Sequence, residues 1–372
     1  MMPLAVAVGD PAGVGPEVSV RAARAVAASE RVVLFGDASR LKMLALRAGF
    51  TPSQIRYFEP GSPFQLVKGT LGLADTGAVS EATVRLRRPS VDGGRAQLAA
   101  LDAALHAIVQ GRARALVTGP VSKEAVSYVK PGFSGHTEYL AQVSGLAPDA
   151  VTMMFLGRRL RLALATTHLR LADVPRQVRG TRVARSVRHL ARALRALGVG
   201  RRGPVTIAVT GVNPHAGEGG LLGTEEAEVV VPVLEQLRGE PEEAIPGLEL
   251  IGPLPAEAAL RLAASRAVDG VVAMFHDQAT IASKLLDWAR AVNVTWGLPF
   301  VRTSVDHGVA YQASACGEVH PGSMTAALRM AARLARDRGR PELRLPASGT
   351  ATDPAVERVP RSAQPGDPRG AG

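Results

Sequence analysis

Three histidines, His168, His215 and His276, each close a short apolar run and stand 47 and 61 residues apart. Imidazole nitrogen suits zinc and similar divalent ions, and three protein ligands leave a coordination position open for a substrate. A spacing this wide needs a preformed fold to bring the rings together, so loop and capping roles stay open on spacing alone. A second set, Lys284, Asn293, Arg302 and the Asp306-His307 pair, surrounds the apolar segments 292–295 and 298–301. The planar fork of arginine and the point charge of lysine suit a carboxylate or a phosphate, with a solvated charge as the plain alternative. His136 and Thr137 lie in Ser134-Gly135-His136-Thr137-Glu138 at an expected helix start, where a hydroxyl cap is the other reading. His106, His189 and His320 have no comparable setting and read as structural or exposed.

These residues must be held by elements that the apolar pattern foretells. Short apolar runs at 4–8, 32–35, 115–118, 152–155, 162–166, 205–209, 271–275 and 292–295 read as strands. Helical periods fall at 17–28, 95–110, 137–144, 177–198, 225–238 and 256–265. The alternation is that of a parallel sheet with crossover helices, so the fold class is α/β. In such sheets ligands gather beyond the carboxyl ends of strands. That places weight on 9–17 (GDPAGVGPE), 119–123 (GPVSK), 166–168 (TTH), 210–218 (TGVNPHAGE) and 275–278 (FHDQ). The first of these opens a helix, where backbone N–H groups favour an anion, yet Gly9, Gly13 and Gly15 miss the G-x-G-x-x-G spacing of a dinucleotide loop. A tight turn and a ligand loop both remain open there. The spacing assigns no residue to a nucleotide cofactor.

Composition narrows the class. Hydrophobic residues at 46% and charged residues at 21% are an ordinary globular balance, while aromatics at 4% leave the core to Ala, Val and Leu. A net charge of +11 raises the question of nucleic acid. The arginines are scattered, however, and the densest run, 176–202, carries an apolar stripe at Val183, Val187, Leu190, Leu194 and Leu197. That pattern predicts a solvated helix face without a stacking platform, and no nucleic-acid partner. The lone Cys316 reads as a small buried or half-buried residue and fits a reducing cytoplasm. No apolar run reaches the roughly 18 to 20 residues of a membrane span. Residues 238–247 read as a surface loop, and 345–372, rich in Pro, Gly, Ser and Ala, as a disordered tail after a catalytic unit at 1–344.

Several longer segments resemble the 4-hydroxythreonine-4-phosphate dehydrogenase (PdxA) family. They are GDPAGVGPE at 9–17, GPVSKEAV at 119–126, FSGHTEYLA at 133–141, TTHL at 166–169, VNPHAGEGG at 212–220, GPLPAE at 252–257, HDQ at 276–278 and NVTWGLPFVRTSVDHG at 293–308. The resemblance implies two interleaved α/β lobes, meeting near 130 and 305, similar to isocitrate and isopropylmalate dehydrogenases, with the active site in the cleft between them. It also implies a homodimer with that site near the interface, and one divalent ion (zinc, magnesium or cobalt) on His168, His215 and His276. Substrate contacts fall on His136, Thr137, Lys284, Asn293 and Arg302. Asp277, Asp306 and His307 are supporting or proton-transfer candidates. The implied reaction is NAD- or NADP-dependent oxidation of 4-phosphohydroxy-L-threonine to a β-keto acid that decarboxylates to 3-amino-2-oxopropyl phosphate, in vitamin B6 synthesis. Relatives act on phosphorylated sugar acids, 4-phosphoerythronate or phosphothreonate, or on aromatic cis-dihydrodiols. The chain departs from the family at Phe275, where Tyr is common, and at Ala279, where Gly is usual, within the segment 279–283.

Overall fold

Strands covered on both faces need apolar residues at nearly every position, and this chain writes them so, with LAVA, VVLFG and ALVT wholly buried in the first half. The structure, a computed structural model, describes residues 1–336 except 60, 148, 202, 241–245, 289 and 317–318. The expected tail at 345–372, residues 241–245 of the expected loop at 238–247 and the side chain of Cys316 lie outside the described residues. The strands are β1 (Leu4–Ala7), β2 (Val32–Gly36), β3 (Ile55–Phe58), β4 (Leu71–Asp75), β5 (Ala115–Thr118), β6 (Thr152–Leu156), β7 (Arg161–Leu164), β8 (Val205–Thr210), β9 (Leu248–Leu254), β10 (Gly270–Ala273), β11 (Val292–Trp296) and β12 (Val301–Ser304). Among the described residues they form one twelve-stranded sheet in the order β3-β4-β2-β1-β5-β12-β11-β6-β7-β10-β8-β9.

The sheet is not parallel throughout, which corrects the expectation. β3 to β12 make one parallel block and β7, β10, β8 and β9 another, and the joint between them, β12-β11-β6-β7, is antiparallel. Chain length at the joint is the cause. Only four residues, 157–160, link β6 to β7, and four, 297–300, link β11 to β12. Connections that short can only fold back, whereas parallel strands need a long crossover. The chain enters the second block after β5 and returns to the first with β12, so the joint is where the two halves touch.

Three helices, Gly15–Val26, Gly180–Ala196 and Gly322–Leu334, pack on one face of the sheet. The other face carries Val91–Val109 and His136–Val143 over the first block, and Ala256–Ala264 and His276–Asp287 over the second. This is an α/β/α arrangement. The helix Gly180–Ala196 buries Val183, Val187, Leu190 and Leu194 as its stripe requires. Its arginines are less solvated than expected: Arg195 donates to the carbonyls of Gly203 and Pro246 at 3.1 and 2.6 Å, and Arg188 pairs with Glu240. His189 meets Thr152 Oγ1 at 2.9 Å, a structural role. Much of the charge run is thus consumed in holding loops to the helix.

Because Leu116 lies fully buried on β5 between β1 and β12, Leu116→Ala should cost about 2–5 kcal/mol of stability. Urea unfolding monitored by circular dichroism reads this loss as a lower midpoint.

Candidate active site

β12 lies between β5 and β11, and its second residue, Arg302, turns its side chain into the sheet face below them. The side chain is 3% exposed. Nη1 donates to Thr295 Oγ1 on β11 and Nη2 to Thr118 Oγ1 at the end of β5, both at 2.8 Å. Nε is buried without a partner, and among the described residues no carboxylate forms an ion pair with this guanidinium. Burial pushes its pKa down to about 10, opposed by the nearby Glu138, so the group stays charged at neutral pH. A buried fork held by hydroxyls alone has charge left to give to an anion. Asn293 on β11 adds a second orphan, a buried Oδ1 with nothing donating to it.

The helix His136–Val143 brings its first residues to the same place. Gly135, just before it, takes φ 152°, and a Cβ there would stand 2.9 Å from Glu138 Oε2 and 3.2 Å from Lys123 Cε. The positive φ, a conformation L side chains rarely adopt, is what favours glycine here, since the ends of Glu138 and Lys123 are free to shift. His136 is buried. Desolvation, helped by the charges of Arg302 and Lys123, holds its imidazole down to about 3, so it is neutral across the physiological range. Thr137 Oγ1 lies 3.4 Å from Thr295 Oγ1. His136, Thr137, Asn293 and Arg302 thus share one neighbourhood.

The histidines past β7 and β10 form a pair. The rings of His168 and His276 have centroids 5.5 Å apart at 44°. Two imidazoles on one tetrahedral zinc, with Zn–N of about 2.0–2.1 Å, have centroids about 5 Å apart, so this pair fits a shared ion. Burial, then the Lys123 charge, lowers the pKa of His168 and favours the neutral ring that a metal needs. Asp277 Oδ1 sits 2.7 Å from His276 Nδ1, which occupies that nitrogen and leaves Nε2 for a ligand role. His215 is not gathered with them. Its side chain is 71% exposed, with Glu218 Oε2 3.9 Å from Nδ1, and among the described residues no three His, Cys, Asp or Glu side chains are close enough to hold a metal.

The loop carrying His215 is strained. Residues 215–219 all take left-handed φ, including the non-glycines His215 at 53°, Ala216 at 54° and Glu218 at 46°. Such a run costs on the order of 1–2 kcal/mol per non-glycine residue and needs an external brace. Glu226 supplies it. Its buried carboxylate accepts from the backbone N–H of Val212 at 2.6 Å and of Asn213 at 2.8 Å, and from Asn213 Nδ2 at 3.0 Å. Burial raises its pKa, but these hydrogen bonds outweigh burial and the net shift is downward.

The remaining candidates divide. Burial raises the pKa of Asp306 against the opposing charges of Lys284, His307 and His276, which places Asp306 among those three groups. Lys284 is exposed on the helix His276–Asp287. His307 turns toward its own loop, with Nδ1 3.0 Å from the Gly308 carbonyl. The 9–17 segment is a turn packed into the fold: Asp10 accepts from Ala12 N, Gln97 Nε2 and Tyr311 Oη at 2.8–2.9 Å, and a Cβ on Gly15 would fall 2.1 Å from the Val8 carbonyl. Lys123, Glu138, Thr118, Thr295 and Glu226 were not among the expected site residues. Lys123 and Glu138 had a signal, since they end the 119–123 and 134–138 clusters; the others depend on register and packing.

The family described as "Pyridoxal phosphate biosynthetic protein PdxA" matches residues 28–331. The chain belongs to this family. It is 38% identical over 338 residues to the 4-hydroxythreonine-4-phosphate dehydrogenase of Geobacter metallireducens, covering 90% of this chain and 96% of that one. It is 40% identical to the enzyme of the same name from Thioalkalivibrio sulfidiphilus, over 90% of this chain and 97% of that one. Among solved structures, 4-hydroxythreonine-4-phosphate dehydrogenase from Klebsiella pneumoniae superposes with a TM-score of 0.75 at 31% identity, covering 90% of this chain and 100% of the other. Terephthalate 1,2-cis-dihydrodiol dehydrogenase from Burkholderia xenovorans gives 0.60 at 28% identity, over 89% and 98% of the two chains. At the departure from the family pattern, Ala279 is fully buried and Thr280 and Ser283 nearly so, whereas Ile281 is exposed.

Two outcomes follow from the geometry. The folded-state pKa of His136, about 3, lies below its free value of 6.5, so the folded protein binds fewer protons between those limits. Stability is complete above pH 6.5 and falls as pH drops through that window; His136→Gln should flatten the fall in urea midpoint between pH 7 and pH 5. Glu226→Ala should unbrace the His215 loop, seen as faster amide exchange at Val212 and Asn213 than in the parent protein.

Proposed function

We propose that this chain is a metal-dependent NAD(P) dehydrogenase that oxidises 4-phosphohydroxy-L-threonine to a β-keto acid, which decarboxylates to 3-amino-2-oxopropyl phosphate. The observation that carries this reading is the buried Arg302, charged, without a carboxylate partner, and set beside the orphaned Asn293 oxygen and the neutral His136. A phosphorylated hydroxy amino acid offers an anion for the guanidinium and an ammonium or hydroxyl for the amide oxygen. His136, Thr137, Lys284, Asn293 and Arg302 bind and orient it. The neutral His136 has a lone pair or an N–H to give to a hydroxyl without adding charge.

His168, His276 and His215 would hold a divalent ion, which would supply Lewis acidity toward the substrate hydroxyl, with NAD or NADP as the hydride acceptor. The pair geometry of His168 and His276 supports that ligand set. Asp277 orients the His276 ring, and Asp306, whose pKa burial raises, is the group we assign to proton transfer near Lys284. The exposed His215 fits a site finished by a second subunit. Ile281, Leu285 and Trp288, at helical spacing just beyond His276, are 59%, 79% and 74% exposed, an apolar stripe suited to a homodimer interface beside the site.

The deciding experiment offers 4-phosphohydroxythreonine, 4-phosphoerythronate, phosphothreonate and a terephthalate cis-dihydrodiol with NAD⁺ or NADP⁺ and zinc, magnesium or cobalt. Reduced cofactor forms fastest with the first; preference for any other reassigns the substrate. His168→Ala should lose bound metal, read by atomic emission, together with activity by about 100-fold or more. Full turnover by metal-free variant protein would refute the ligand set.

A further inference from the structure

A large cavity lies mainly on the face of the sheet opposite Arg302 and reaches Ala263 and Arg266 at the end of the Ala256–Ala264 helix. Its volume is about 910 Å³, and its wall includes the helix Gly322–Leu334, the 157–160 turn between β6 and β7, and the loop before β10. Thr303 donates to the Ala327 carbonyl of that helix at 3.0 Å, so its neighbour Arg302 points to the opposite face. Asp269 in the cavity wall and His276 sit before and after β10, separated by a strand of about 13 Å.

The lining is dominated by arginine. Arg158 and Arg159 come from the β6–β7 turn, Arg161 from the start of β7, Arg266 and Arg290 from the loops before β10 and β11, and Arg329 and Arg333 from the helix. One acid, Asp269, belongs to the wall, and its carboxylate is already taken by Thr206 N at 3.0 Å. Asp287, in the adjoining groove, is committed to the backbone N–H groups of Arg159 and Leu160, both at 2.9 Å. Among the described residues Arg158, Arg159, Arg266, Arg290 and Arg329 make no ion pair. The charges also oppose one another: burial lowers the pKa of Arg161, and Arg266 and Arg333 lower it further against Asp269. Arg266 holds φ 64° just past a helix end, where glycine is the usual occupant, so a long cationic side chain stands at a position that disfavours it. The floor is apolar, with Leu197, Val199, Val292 and Met330.

Unneutralised guanidinium groups facing a cavity call for phosphates, which they bind bidentately, and the apolar floor calls for a ring. We propose that this cavity is a second binding site, separate from the catalytic one, for the polyphosphate chain and base of a nucleoside triphosphate. The site does not serve hydride transfer: Arg161 and Asp269 in its wall stand at the opening ends of β7 and β10, whereas His168 and His276 follow the far ends of those strands.

Isothermal titration of the full chain with ATP, inorganic tripolyphosphate and NADP⁺ tests this. ATP should bind saturably and more tightly than tripolyphosphate, and both should weaken with added salt. The double variant Arg266→Glu, Arg329→Glu should weaken ATP binding at least about tenfold, since it reverses two unpaired charges. Its unfolding midpoint and its turnover without ATP should match the parent. Absence of saturable binding, affinity unchanged in the double variant, tripolyphosphate binding as tightly as ATP, or displacement of ATP by NADP⁺ would each overturn the proposal. If the double variant fails to fold, Arg290→Gln with Arg158→Gln, which removes charge without reversing it, takes its place with the same expectations.

Discussion

The Arg302 guanidinium is buried between β5 and β11 with hydroxyls rather than a carboxylate for partners, and much of the candidate site is arranged around that choice. A permanent cation in the interior is tolerated when its hydrogen bonds are met and an opposite charge is near. Here two of its three nitrogens are met, by Thr118 and Thr295, and the third is open. The same charge helps keep His136 neutral. A neutral ring, a free guanidinium edge and an unpaired amide oxygen thus lie together, the ring kept neutral first by its own burial and then by that charge.

That charge also explains why the joint of the sheet matters. Thr118 belongs to the parallel block that begins the chain, and Thr295 to the antiparallel strand that leads out of the second half. Arg302 binds both, so its position depends on the register of three strands from distant parts of the chain. The short connections at 157–160 and 297–300 set that register by forcing the strands to fold back. Strand twist of about 20–25° per neighbour accumulates over the steps from β5 to β10. It turns the two blocks toward one another, and the charge of Lys123 after β5 comes to act on His168 after β7.

Charge elsewhere is spent differently. The arginines of Gly180–Ala196 are largely consumed by carbonyls and by Glu240, so a high net charge there is structural mortar. Around the cavity behind the sheet, Arg161 and Arg333 donate to the carbonyls of Asp269 and Leu197, but Arg158, Arg159, Arg266, Arg290 and Arg329 make no ion pair among the described residues. Equal composition thus yields two opposite physical situations, set by whether acceptors lie within reach.

The eight apolar runs seen in the sequence all became strands, because doubly covered strands must be apolar at consecutive positions. β3, β4, β9 and β12 escaped notice. β3 and β9 lie at the two sheet edges with mixed burial, and β12 carries the polar run Arg302, Thr303 and Ser304. The helix His276–Asp287 was missed as well, since its first turn carries His, Asp and Gln for the site instead of an apolar period. Residue identity alone marked the histidines and cations, because metal and anion chemistry admits few side chains, and motif length marked the family. Which of those residues meet was decided by strand register, by the brace that Glu226 gives the His215 loop, and by burial that neutralises His136 while leaving Arg302 charged. Those are properties of distance and desolvation, and they exist only once the chain has folded.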